Sequence, residues 1–153
     1  MKYKGSLSLT IISILILTLS QCAPLPCTLE TDAKLKASFF STGTGTAIAA
    51  DSVTLYGIGR DTSKIYYKAT SLKSISFPLN SGADSCSFFI KLNTHTDTIT
   101  FYYSNYTHLI SKECGYTFYH TLDSIRHNRS VPNYNIMNST ITTINAENIR
   151  IFF

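Results

Sequence analysis

Charge is scarce in this 153-residue chain: 14% of its residues are charged, against 44% that are hydrophobic. That balance excludes a disordered polyelectrolyte, which stays unfolded because it has too few apolar groups to bury. Trp is absent. No HExxH, GxSxG, Walker loop or GxGxxG occurs, so zinc-peptidase, α/β-hydrolase and nucleotide-binding signatures are missing. No CxxC and no close Cys/His pair has the spacing of a metal site. The nine carboxylates are scattered and nominate no glycosidase pair. No catalytic residue, cofactor or metal is therefore expected. Beyond residue 20 no apolar run could span a bilayer as a helix, and almost no 3.6-residue periodicity is visible.

What is present is Ser and Thr, 19 and 20 residues, with 10 Tyr and 9 Phe. This composition favours strands over helices. The N-terminus stands apart. Lys2 and Lys4 precede a run from Leu7 to Leu19 that is apolar apart from Ser and Thr. It is too short for a transmembrane helix and fits the apolar core of a signal peptide. It ends in Leu19-Ser20-Gln21-Cys22, which resembles a bacterial lipobox, with Gln21 where Gly, Ala or Ser is usual. The expectation is a lipoprotein signal peptide over 1–21, lipidation at Cys22, a Pro-containing tether over 22–26 and one domain over 27–153. The alternative is an ordinary signal peptide cut nearby, with Cys22 a plain thiol. Buried acyl chains contribute about 0.8 kcal/mol per CH₂, so two or three chains anchor stably. Removing Lys2 and Lys4 leaves 11 basic and 9 acidic residues, net +2, and no basic stripe. A nucleic-acid partner is not expected.

Four Cys are present: Cys22, Cys27, Cys86 and Cys114. With Cys22 lipidated, three remain, and export permits a disulfide. Cys86 shares an alternating face with Phe88, Ile90 and Leu92, so it reads as a buried apolar residue. The expected bridge is Cys27–Cys114, clamping the tether to the domain; Cys86–Cys114 is the alternative.

The body alternates with a period of two. Leu35, Ala37 and Phe39 share a face, as do Val53 and Leu55, then Ile75, Phe77 and Leu79, then Ile99, Phe101 and Tyr103. Tyr116, Phe118, His120 and Leu122 alternate with Thr117, Tyr119 and Thr121, and Ile149, Ile151 and Phe153 close the chain. Seven to nine short strands with hairpin-length connections predict an all-β fold. The expected form is a single antiparallel two-sheet β-sandwich, broadly immunoglobulin-like. The ending Ile-Arg-Ile-Phe-Phe also resembles the last strand of an outer-membrane barrel. Runs of five to eight residues fall short of the 9–11 or so that a barrel strand needs. The Asn-rich stretch 128–143 carries no clear pattern.

Several segments together resemble a known family. They are Cys27-Thr28-Leu29-Glu30-Thr31, Leu55-Tyr56-Gly57-Ile58-Gly59, Ile75-Ser76-Phe77-Pro78-Leu79, Ile99-Thr100-Phe101-Tyr102-Tyr103, Cys114-Gly115-Tyr116-Thr117-Phe118 and Glu147-Asn148-Ile149-Arg150-Ile151-Phe152-Phe153. In this order the chain resembles the Bacteroidetes lipoprotein family catalogued as domain of unknown function 6452. The resemblance implies an envelope lipoprotein of β-rich fold, with Cys at the positions of Cys27 and Cys114. It supplies no catalytic residue.

Of the four His, His120 alternates with Phe118 and Leu122 and reads as a hydrogen-bonded core residue. Tyr102, Tyr103, Tyr106, Tyr116 and Tyr119 are candidates for an aromatic platform, or for an ordinary sandwich rim. Asp51-Ser52-Val53, Asp97-Thr98-Ile99 and Asp123-Ser124-Ile125 resemble the O-glycosylation sequon of Bacteroidetes exported proteins. Ser52, Thr98 and Ser124 are the candidate acceptors. Turns running into strands explain the same triplets. The functional expectation is a non-catalytic binding or scaffolding lipoprotein with a membrane anchor and a protein or glycan partner in the envelope. The alternative is a hydrolase or small-ligand carrier with an unrecognised site. No Asp follows Cys22 and no acidic run follows the tether, so the expected address is the outer membrane, facing the periplasm.

Overall fold

The computed structural model describes residues 26–129 and 132–153. The expected signal peptide, Cys22 and all of the tether but Pro26 lie outside the described residues. Ten strands follow in chain order: β1 (Lys34–Phe40), β2 (Val53–Gly57), β3 (Lys64–Ala69), β4 (Ser74–Pro78), β5 (Ser85–Leu92), β6 (His95–Ser111), β7 (Gly115–His127), β8 (Asn133–Ile136), β9 (Thr140–Ile141) and β10 (Ile149–Phe152). They form two packed sheets, ordered β4-β1-β10-β8 and β3-β2-β5-β6-β7-β9. The fold is an all-β sandwich. The sheets are open, so β4, β8, β3 and β9 are free edges rather than joints of a barrel.

Alternation in sequence becomes burial because successive side chains point to opposite faces. Leu35, Ala37 and Phe39 of β1 pack inward, as do Val53 and Leu55 of β2, Ile99 and Phe101 of β6, and Ile149 and Ile151 of β10. Phe77, Phe88 and Phe101 meet across the sheets with ring centroids 4.9–6.0 Å apart. Pairing is antiparallel with one exception: β1 runs parallel to β10, Phe39 opposite Ile151. First and last strands thus lie side by side at the centre of the smaller sheet.

Two strands depart from the sequence expectation of short runs. β6 has 17 residues and β7 has 13. The outer half of β6 alternates poorly because no second sheet covers it there. Asn105, Thr107 and His108 therefore leave no apolar signature.

Register places several strand ends together. Lys34 opens β1 opposite Pro78 at the end of β4, and Gly57 ends β2 opposite Phe88. Ser85 opens β5 opposite Tyr102. At this same end of the sandwich β6 and β7 continue outward as a hairpin.

Candidate functional site

Between the edges β3 and β4, at that end, lies an open groove of about 580 Å³. Gly57 and Gly59 turn the chain out of β2, Gly59 at a φ of +78° that disfavours any side chain. The turn carries Ile58 and Arg60 over the groove, and β3 presents Ile65. Leu79 and Phe88 supply the apolar floor, with Asn80, Ser85 and Ser87 among the polar groups at its sides. Among the described residues lining it, Arg60 alone is charged.

Cys86 also lines the groove, as a free thiol. The sequence reading buries it; it is only half-buried, because β5 begins where the sandwich opens. Its Sγ lies 2.9 Å from the hydroxyl of Tyr103. That hydroxyl donates to Asn80 O and accepts from Asn80 N, each at 3.0 Å. With its one proton committed to Asn80 O, the thiol must be the donor in the Cys86–Tyr103 contact. Burial first, and the Cys86 contact second, hold the Tyr103 phenol above its ordinary pKa. The phenol is held by three hydrogen-bond contacts, two to Asn80 and one to Cys86.

The hairpin is the second feature. Cys27 and Cys114 form the expected disulfide, with Cα atoms 4.8 Å apart. Cys114 sits in the turn between β6 and β7, one residue ahead of β7. The segment after Cys27 runs back along the hairpin, and the Thr117 hydroxyl donates to Thr31 O. Register sets Leu109 opposite Tyr116 and Thr107 opposite Phe118, so these four share one face. On it Leu109 is 48% exposed, Tyr116 72% and Phe118 45%.

The tyrosines singled out from sequence therefore do not form one platform. Tyr103 is core, Tyr102 lies under Arg126, and Tyr106 meets Tyr119 edge-on. Tyr119 also stacks on His108, with centroids 4.3 Å apart. His120 is buried as expected, with its Nδ1 hydrogen-bonded to Asn105 Oδ1. Burial lowers its pKa, against a smaller opposing pull from Asp32.

The model of the family of unknown function DUF6452 matches residues 52–153. The chain belongs to this family. The DUF6452 match spans β2 to β10, and so includes the groove, the hairpin and Cys114, while β1 and Cys27 precede it. No curated protein and no solved structure matches the chain.

Asp97 is the residue that sequence reasoning misplaced. The sequence offers it as the first member of a sequon or as a turn residue, yet its side chain is wholly buried. It accepts from the backbone N–H groups of Thr98 (2.7 Å) and Asn128 (3.0 Å) and from Tyr134 Oη (3.4 Å). His127 Nδ1 lies 3.7 Å away. Tyr134 belongs to β8, so this carboxylate ties the larger sheet to the smaller one. Burial, then the carboxylate, push the Tyr134 phenol well above its ordinary pKa. A signal existed in the sequence: Asp97 alternates with Ile99 and Phe101. Of the three candidate acceptors, Ser124 is exposed, while Ser52 and Thr98 are half-buried. Among the described residues no cluster of three or more His, Cys, Asp or Glu could hold a metal.

Proposed function

We propose that the protein is a lipoprotein of the outer membrane, anchored through Cys22, facing the periplasm and acting as a binding module. Its binding site is the groove beside β3, and its partner is an extended segment of another envelope protein. The observation that carries this reading is the composition of the groove: an apolar floor, neutral polar sides and one guanidinium, next to a free strand edge. An edge strand offers backbone N–H and C=O groups to an added strand, and flanking pockets select its side chains. Leu79 and Phe88 would bury apolar side chains of that strand, and Arg60 would meet an acidic one. The hydrolase alternative lacks support, because no general base faces a nucleophile in the groove.

A photo-crosslinking residue at Ile65 in living cells tests the site. A discrete protein adduct that weakens in Arg60→Glu is expected. No adduct, or the same adducts as from Lys91 at the other end of β5, would overturn it. An adduct removed by glycosidase would identify a glycan instead. The anchor is tested separately: a fatty-acid analogue should label the wild type and miss Cys22→Ala. Protease should spare the protein on intact cells and reach it after permeabilisation. Ser52, Thr98 and Ser124 are proposed as O-glycan acceptors, of which exposed Ser124 is the most accessible; intact mass of the Ser124→Ala variant tests that one.

A further inference from the structure

We infer that the tip of the β6–β7 hairpin docks on the lipid bilayer through Leu109, Tyr116 and Phe118, and so fixes which end of the sandwich faces the membrane. This inference rests on the Cys22 anchor proposed above.

Three observations meet at the tip. The first is length. β5 stops pairing with β6 at Tyr102, and β9 pairs only with His120 and Thr121 of β7. From Tyr106 to Ser111 the hairpin has no neighbouring strand, a projection of about 20 Å at 3.3 Å per residue. The second is chemistry. Leu109, Tyr116 and Phe118 lie together on one face and are 45–72% exposed. Aromatic side chains with one wet and one apolar end favour the bilayer interface. In the turn, Lys112 and Glu113 cancel one another, so the contact is apolar rather than electrostatic.

The third is the tether, which selects the occupant. Cys27 is bonded to Cys114 in the hairpin turn, and Cys22 lies five residues before Cys27. Five residues reach at most about 18 Å. The lipid-bearing residue therefore cannot stray from the tip by more than roughly the length of the projection. Without the bridge the tether would be set by Ala33, the first buried residue of the domain, and any face could approach the bilayer. With it, the exposed Leu, Tyr and Phe are held at the surface that the acyl chains enter. A free apolar tip in water is the costlier arrangement, at about 25 cal/mol per Å² left exposed. The groove opens at this same end, so docking would make it membrane-proximal.

The absence of Trp makes the test direct, since one introduced Trp reports alone. Full-length acylated Phe118→Trp and Tyr116→Trp are placed in phosphatidylethanolamine–phosphatidylglycerol vesicles carrying brominated acyl chains. His95→Trp, at the opposite end of the sandwich, is the control. A blue shift and loss of emission at the tip, with neither at His95→Trp, is expected, and 0.5 M salt should leave the loss unchanged. Equal emission from tip and control in protein that carries the acyl label would overturn docking and leave the anchor standing. Absence of the acyl label would overturn both. An unquenched tip that photo-crosslinks to a protein from Tyr116 would assign the face to a protein partner and refute the lipid assignment.

Discussion

Cys27 and Cys114 are joined across 87 residues of sequence, and the bond fastens the start of the domain to the turn of its longest hairpin. In the chain-entropy model such a bridge stabilises by at most about 4–5 kcal/mol. Cys27→Ser should lower the urea midpoint and steepen the slope, because the unfolded chain without the bridge is less compact. In vesicles it should also weaken the quenching of a Trp at Phe118, because the freed tether no longer holds the tip near the lipid. Stability within about 0.5 kcal/mol of wild type would show that the closed loop contributes little to folding.

Asp97 should be the most costly surface-like residue to replace. Asp97→Ala leaves the Thr98 and Asn128 amides and the Tyr134 hydroxyl without their acceptor. The hydroxyl is buried, and an orphaned buried donor costs about 1–3 kcal/mol, while the two amides are partly buried and add less, so a loss of roughly 2 kcal/mol or more is expected in urea unfolding. Asp97→Asn keeps one acceptor oxygen and should lose less. A change below about 1 kcal/mol for Asp97→Ala would contradict the role as a clamp between the sheets.

His120 predicts a pH dependence. Its folded pKa is lowered from 6.5 by burial, while the unfolded chain keeps the ordinary value. The unfolded state then takes up the proton first as pH falls. The contribution of His120 is fully present above the unfolded value and is lost as pH drops below about 6.5 toward the folded pKa. Wild-type stability should decline over that interval, and His120→Gln should flatten the decline. Identical pH profiles for the two proteins would exclude His120 as the cause.

Cys86 and Tyr103 should respond unequally to deletion. Tyr103→Phe removes the acceptor of Asn80 N and one of the two donors to Asn80 O, which keeps Ala83 N at 3.2 Å, whereas Cys86→Ala removes one weak donor. Losses of about 2 kcal/mol and below about 1 kcal/mol, respectively, are expected in urea unfolding. The native thiol should react with a disulfide reagent more slowly than in urea, because its proton is engaged by the hydroxyl. Equal rates would mean that the contact does not persist in solution.

Strand alternation was readable from residues because each buried face needs an apolar residue at every second position. Leu35-Ala37-Phe39 and Ile99-Phe101-Tyr103 state that need directly, and the all-β class follows from them. The pairing of Cys27 with Cys114 was also within reach, since the alternation around Cys86 marks it as a strand residue facing the core rather than a bridge partner. Other features depend on neighbours that lie far apart in sequence. Phe118 and Leu122 share an alternating face, yet one is exposed and the other buried. The second sheet ends between them, and no local pattern records where a sheet ends. The parallel β1–β10 pair joins residues more than a hundred positions apart, so turn chemistry cannot signal it. Asp97 looked like a turn residue because Asp and Thr favour turns; the amides of Thr98 and Asn128 and the hydroxyl of Tyr134 make it a buried clamp. Alternation marks which residues need cover. Whether each receives it depends on where the opposing sheet ends, because burial is a property of the packed surface rather than of the strand that presents it.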